Sequence, residues 1–221
     1  MTDALQFLLH LDQEAIRATA DLRWGPATAL LTLVSAWWFK GPLLIGLAWS
    51  SDVSRRRGLP LVAGAATVSF LLASGLSFVI KGVVGRSRPP EAIGFEALVG
   101  VPGTPSFPSG HATTAFAVAG AVALLAPRLR WPVLGLAALV AFSRVYLGVH
   151  FWIDVVAGAA LGLTTGLGVA WTLHRHAVVA VTTRAGTSPG AGRAGRGAGA
   201  STAPITRSVS TTARNELDSP A

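Results

Sequence analysis

The 221-residue chain contains no cysteine, which excludes a disulfide and a thiolate nucleophile and leaves the redox compartment unmarked. Charge is also scarce. Only 13% of the residues are Asp, Glu, Lys or Arg, where soluble domains carry roughly a quarter. No basic n-region precedes Asp3 and no small-residue cleavage site follows it, so no removable signal peptide is expected. Repeats of 20–50 residues are not evident either, which speaks against a repeat array. What fills the chain instead is apolar: 51% of the residues are hydrophobic and the mean hydropathy is +0.54. That balance belongs to a membrane protein.

A bilayer-spanning helix needs about 20 apolar residues. Five segments come close, at residues 27–49, 59–80, 112–126, 131–149 and 153–173. The third is short unless it begins near Ser109. Several are rich in Gly, Ala and Ser, which lets membrane helices approach closely. Trp24, Trp49, Trp131, Trp152 and Trp171 stand near segment ends, where an amphipathic ring prefers the interface. Residues 2–24 differ. Leu5, Leu8, Leu9, Ile16 and Ala20 favour one helical face, with Asp3, Asp12, Glu14, Arg17 and Asp21 elsewhere, so an amphipathic helix on the membrane surface or capping the bundle is expected. From about Thr182 the composition turns to Gly, Ala, Ser, Thr, Pro and scattered Arg, too polar to offset its ordering entropy. The expected organisation is an all-α membrane bundle: an N-terminal helix within 1–26, a transmembrane domain at 27–176, and a disordered tail at 177–221.

The net charge of +8 is read as a topology signal and not as a nucleic-acid surface. Arg55, Arg56 and Arg57 fill the short connection after the first span, Arg128 and Arg130 the one after the third, and Arg175 follows the fifth. Short cytoplasmic loops carry excess Lys and Arg, which puts these loops and the tail inside the cell membrane. The 81–111 and 144–152 loops then lie outside.

Three polar clusters interrupt the apolar chain, and all fall on that outer side: Lys81 with Arg88-Pro89, then Pro108-Ser109-Gly110-His111, then Ser143-Arg144 with His150 and Asp154. Arg88 and Arg144 can each grip two phosphate oxygens in a forked geometry, while Lys81 acts as a point charge. Arg86, off this spacing, is read as an interfacial cation. Ser109 is a candidate helix N-cap, so that Gly110 and His111 would begin a helix whose free N–H groups face an anion. His150 and Asp154 stand four residues apart. On one helical face, Asp154 would accept the Nδ1–H of His150 and leave Nε2 unprotonated, the arrangement of an activated nucleophile. An interfacial carboxylate is costly unless paired.

Together these clusters resemble the signature of the type 2 phosphatidic acid phosphatase superfamily: KxxxxxxRP, PSGH and SRxxxxxHxxxD, complete and in order within residues 59–173. The resemblance implies an enzyme that hydrolyses a lipid phosphate through a phosphohistidine. It assigns attack on phosphorus to His150, orientation of that histidine to Asp154, and proton transfer to the departing oxygen and from water to His111. Lys81, Arg88, Arg144, Ser109 and the Gly110 N–H would hold the phosphate oxygens. Neither a metal nor another cofactor is implied, because the cations supply the charge, and the expected partner is a membrane-embedded lipid phosphate. The layout is similar to small bacterial undecaprenyl-diphosphate phosphatases, whose second motif can carry Asp where this chain has Gly110, and phosphatidate stays equally open as substrate. Vanadate-dependent haloperoxidases share the signature but are soluble. A catalytically silent lipid-binding protein would have no need of His111, His150 and Asp154.

Overall fold

In the computed structural model the described residues are 2–36, 45, 46, 48–50 and 61–186, and every regular element among them is a helix. The predicted 27–49 span falls partly outside them, and the Arg55, Arg56 and Arg57 loop and residues 187–221 fall wholly outside. The α-helices with defined bounds among the described residues are α1 (Thr2–Ala20), α2 (Gly25–Ser35), α3 (Leu61–Val84), α4 (Pro89–Ile93), α5 (Gly110–Leu125), α6 (Arg130–Tyr146) and α7 (Trp152–Gly186). The last helix runs through Gly186, so the boundary drawn at 176 from composition falls inside it.

Among the described residues three stretches are long and apolar enough to cross a membrane: Leu61–Ile93, Pro127–Tyr146 and Trp152–His176. Two shorter apolar helices lie at Gly25–Ser35 and Gly110–Leu125. The exposed side chains of α3, among them Leu71, Leu72, Phe78, Val79 and Val83, form an apolar outer surface suited to lipid.

The short helix α5 sits at the centre. Its sequence is apolar all round and built largely from Ala, Gly and Val, which is the pattern of a helix covered on every side. It packs against α3, α6 and above all α7. Glycines set the α5–α7 distance. Gly158, Gly162 and Gly166 recur every four residues along α7. A Cβ at Gly162 would stand 2.1 Å from the Thr113 carbonyl oxygen, and one at Gly166 would stand 2.0 Å from that of Ala117. Small residues at this spacing let helix backbones touch. Gly162→Val must therefore push the two helices apart, and we expect a loss of about 3 kcal/mol of stability. A melting temperature in detergent equal to that of the unchanged chain would refute this packing.

The same contact aligns the functional ends of the helices. The Ser109 N–H, just before α5, donates to the carbonyl of Asp154 in the first turn of α7 at 2.9 Å. Between α6 and α7 the chain turns through Gly148 at φ +78, where a Cβ would meet the Glu96 carbonyl oxygen at 2.6 Å. Only glycine fits both the left-handed backbone and that approach. The 94–109 segment folds back over this turn, and the Leu98 N–H donates to the carbonyl of Leu147 at 3.0 Å.

Helix α1 is more divided than its sequence suggests. Ile16 packs in a cluster with Val145, Phe151 and Val155, and Asp12 and Thr19 are buried beside it. Phe7, Leu8 and Leu11 point outward and are exposed. The single apolar face expected from Leu8 and Ile16 is thus two faces, one against the bundle and one open.

Candidate active site

The three polar clusters, separated by whole helices in sequence, meet at one end of the bundle. Arg128, between α5 and α6, and Arg130, the first residue of α6, lie at the other. Lys81, Arg88, Gly110, His111, Arg144 and His150 line a cavity of about 470 Å³ whose remaining wall includes Phe70, Phe78 and Pro102. Asp154 is fully buried behind His150. Ser109 is the N-cap of α5, but its hydroxyl makes no capping bond, unlike the usual use of serine there.

Each lining cation is held by neutral groups. Lys81 Nζ donates to the carbonyls of Pro105 at 2.5 Å and Ser106 at 3.2 Å. Arg88 donates from Nε to the Thr104 carbonyl at 2.8 Å and from Nη1 to that of Val149 at 2.7 Å. Arg144 Nη1 donates to the Ser35 hydroxyl from α2. Carbonyls and a hydroxyl fix a cation in place without cancelling its charge. Three such cations around one space make a site for an anion. Further groups await a partner: Ser77 Oγ and Arg144 Nε on the cavity wall, and Ser109 Oγ at the adjoining helix cap, are buried without hydrogen bonds. An orphaned buried polar group costs about 1–3 kcal/mol, and phosphate oxygens would satisfy these.

Gly110 keeps the floor open. A Cβ there would touch only Ser77 Oγ at 3.6 Å and Lys81 Cε at 3.9 Å, ordinary contacts, so the protein's own packing does not demand glycine. The side chain it lacks would project into the cavity it lines.

The tautomer of His150 follows from its neighbours. Arg88 Nη1 lies 3.1 Å from His150 Nε2, and a guanidinium only donates, so Nε2 carries a lone pair and Nδ1 the proton. Burial pushes the His150 pKa down to about 3, opposed by its hydrogen bond to Asp154 and aided by the charge of Arg88. The imidazole is therefore neutral at pH 7.

The orienting contact differs from the expected direct bond. Nδ1 lies 3.5 Å from Asp154 Oδ2 and 3.3 Å from Ser106 Oγ, while the Ser106 hydroxyl donates to the same Oδ2 at 2.5 Å. The Phe151 N–H also donates to Oδ2, at 3.0 Å. The carboxylate is already well supplied, so the histidine proton is shared between Asp154 and a serine that sequence reasoning passed over. Arg86 departs further from its expected place. It is no interfacial cation: its side chain is only 18% exposed, and it pairs with Asp154 Oδ1 at 2.6 Å and Asp12 Oδ2 at 2.8 Å. Ser106 lies two residues before the PSGH motif and Arg86 inside the first, which were the available signals. Asp12, 74 residues from Arg86, gave none.

A family model described as the PAP2 superfamily matches residues 62–177, more than half of the chain and all three clusters. The chain belongs to the PAP2 superfamily. An undecaprenyl-diphosphatase of Sulfolobus acidocaldarius is 36% identical over 142 residues, 63% of this PAP2 chain and 58% of that protein. A decaprenylphosphoryl-5-phosphoribose phosphatase of Mycobacterium tuberculosis is 40% identical over 129 residues, 57% of this chain and 68% of that one. The chain thus spans little more than half of the archaeal relative and about two thirds of the mycobacterial one. Among solved structures, the transmembrane PAP2 type phosphatidylglycerolphosphate phosphatase of Bacillus subtilis superposes with a TM-score of 0.63 at 27% identity, over 76% of this chain and 87% of that one. Aquifex aeolicus LpxE gives 0.57 at 25% identity, over 71% and 92%. With its long apolar helices, this PAP2 chain is a membrane protein of helical fold.

Proposed function

We propose that the chain is a membrane phosphatase that hydrolyses a lipid phosphate or diphosphate through a phosphohistidine on His150. The observation that carries this reading is the convergence of Lys81, Arg88 and Arg144, each anchored by neutral groups, around the unprotonated Nε2 of a buried, neutral histidine. The three cations and the Gly110 N–H hold the phosphate oxygens, and Arg88 Nη1 shifts from Nε2 to an oxygen as substrate binds. Nε2 then attacks the terminal phosphorus, its bond to the lipid oxygen of a monophosphate or to the bridging oxygen of a diphosphate breaks, and His111 protonates that oxygen. The imidazolium formed keeps its Nδ1–H on Ser106 and Asp154. In the second step His111 takes a proton from water, the water oxygen attacks phosphorus, the N–P bond breaks, and inorganic phosphate leaves.

The apolar part of the cavity, with Phe70 and Phe78 on α3, suits a hydrocarbon chain next to the phosphate. Similarity to enzymes named for undecaprenyl and decaprenyl substrates makes polyprenyl phosphates and diphosphates the first candidates, with phosphatidate-type lipids beside them. Phosphate release by the purified chain from such a panel, with and without excess EDTA, tests the reading. Turnover of at least one lipid is expected, unchanged by EDTA and inhibited competitively by orthovanadate. No turnover of any, or strict dependence on Mg²⁺, would refute it.

In this reading five segments span the membrane, and α1 lies on its outer surface with Phe7, Leu8 and Leu11 in the lipid and Asp12 turned to the bundle. The site opens away from the cytoplasm, because Arg128 and Arg130 lie at the opposite end of the bundle and resist translocation. A cysteine introduced at the exposed Ala92 should react with an impermeant thiol reagent in intact cells. One at Ser54 should react only after the membrane is opened. The native chain has no cysteine, so each signal is unambiguous. The reverse pattern would put the chemistry inside.

A further inference from the structure

Arg86 and Asp12 belong to none of the three clusters, yet they complete the surroundings of the Asp154 carboxylate. The Arg86 guanidinium bridges two acids, with Nη1 2.6 Å from Asp154 Oδ1 and Nη2 2.8 Å from Asp12 Oδ2, and lies over the Phe151 ring at 4.3 Å from its centroid. Asp12 uses its other oxygen to accept the Ile153 N–H at 3.1 Å, in the first turn of the helix that carries Asp154. The Asp12 and Asp154 side chains are 1% and 0% exposed. Carboxylates buried so completely are tolerable only when paired. Arg86 thus differs in kind from Lys81, Arg88 and Arg144. Its charge is spent on two carboxylates, and it does not line the cavity.

We propose that Arg86 and Asp12 are positioning residues for the reaction: the N-terminal helix reaches into the site and, through Arg86, fixes the rotation of Asp154. That rotation is what brings Oδ2 against both the Ser106 hydroxyl and His150 Nδ1, because Oδ1 is held by Arg86 on the opposite side. The two residues act in series. Asp12 orients Arg86, Arg86 orients Asp154, and Asp154 with Ser106 orients the imidazole. The inference rests on the proposed role of His150. Since neither residue touches the space where phosphate would sit, their loss should lower kcat and spare KM.

The test compares the purified full chain with Arg86→Lys, Asp12→Asn, Asp12→Glu and the double variant Arg86→Lys/Asp12→Asn. A lysine keeps the charge but cannot fork between two carboxylates. Glu14→Gln, which removes only the exposed pair with Arg17, is the control. On a lipid phosphate that the unchanged chain hydrolyses, Arg86→Lys should lower kcat about 30-fold and Asp12→Asn about 10-fold, each with KM within about threefold. Acting in series, they should be non-additive, so the double variant should be no slower than Arg86→Lys. Asp12→Glu should recover part of the loss, and Glu14→Gln should match the unchanged chain. A folded Arg86→Lys with unaltered kcat, a rise in KM at constant kcat, or additive losses would overturn the proposal. Should Arg86→Lys fail to fold, Asp12→Asn against Asp12→Glu decides. Amide exchange at Ile153 needs no substrate and should quicken in Asp12→Ala, which removes the acceptor of that N–H. Unchanged protection there overturns the clamp, whereas an unchanged chain inactive on every lipid overturns the proposed function and leaves the exchange result to judge the clamp.

Discussion

His150→Ala should abolish lipid phosphate hydrolysis, a loss of about 10,000-fold or more in kcat, while the folded bundle and its affinity for inorganic phosphate largely persist. The expectation rests on position. Nε2 is the unprotonated nitrogen that stands among the cations, 3.1 Å from Arg88, and His150 is held neutral by burial. His111 lines the same cavity from the first turn of α5 and is given the proton transfers instead. A phosphoenzyme trapped with labelled substrate should be acid-labile and alkali-stable, as a phosphoramidate is. An adduct that survives acid, or that still forms in His150→Ala, would move the nucleophile elsewhere.

Asp154→Asn should lower kcat by about 1,000-fold with little change in KM. The carboxylate receives donors on both oxygens: Arg86 on Oδ1, and Ser106 and the Phe151 N–H on Oδ2. An amide offers one acceptor and one donor. Whichever way it turns, its NH₂ faces a donor, either the guanidinium or the pair at Oδ2. The side chain must rotate or its neighbours must withdraw, and the imidazole loses the acceptor that keeps its proton on Nδ1. The cations that line the cavity are untouched, so binding should survive. A kcat within tenfold of the unchanged chain would mean that Ser106 alone orients His150.

Both predictions draw on residues that the sequence displays differently. His150 and Asp154 stand four apart in an apolar stretch that gives charged groups no other purpose, so their partnership was legible. Lys81, Arg88 and Arg144 were legible for the same reason, each at the end of a hydrophobic segment. Ser106 was not, because serine beside prolines is ordinary turn composition and nothing local marks a hydroxyl aimed at a carboxylate 48 residues away. From sequence alone Arg86 is an interfacial cation and Asp12 a charge off the apolar face of α1, since a lone charged residue near an interface is usually solvated. Burial reverses that meaning, and burial is a property of the packed bundle.

Local physics therefore determined what can be read along one dimension. Apolar runs fix where helices form, the small residues of α5 and α7 mark their close approach, and polar clusters at helix ends identify an anion site. The tertiary structure decided what depends on distances between segments remote in sequence. It brought α1 against the site through the Asp12–Arg86 pair and placed a serine between His150 and Asp154. It also left the central cations facing carbonyls instead of carboxylates. The physical reason is that periodicity and capping are contacts within about four residues, whereas the partner of a buried charge is chosen by how whole helices pack.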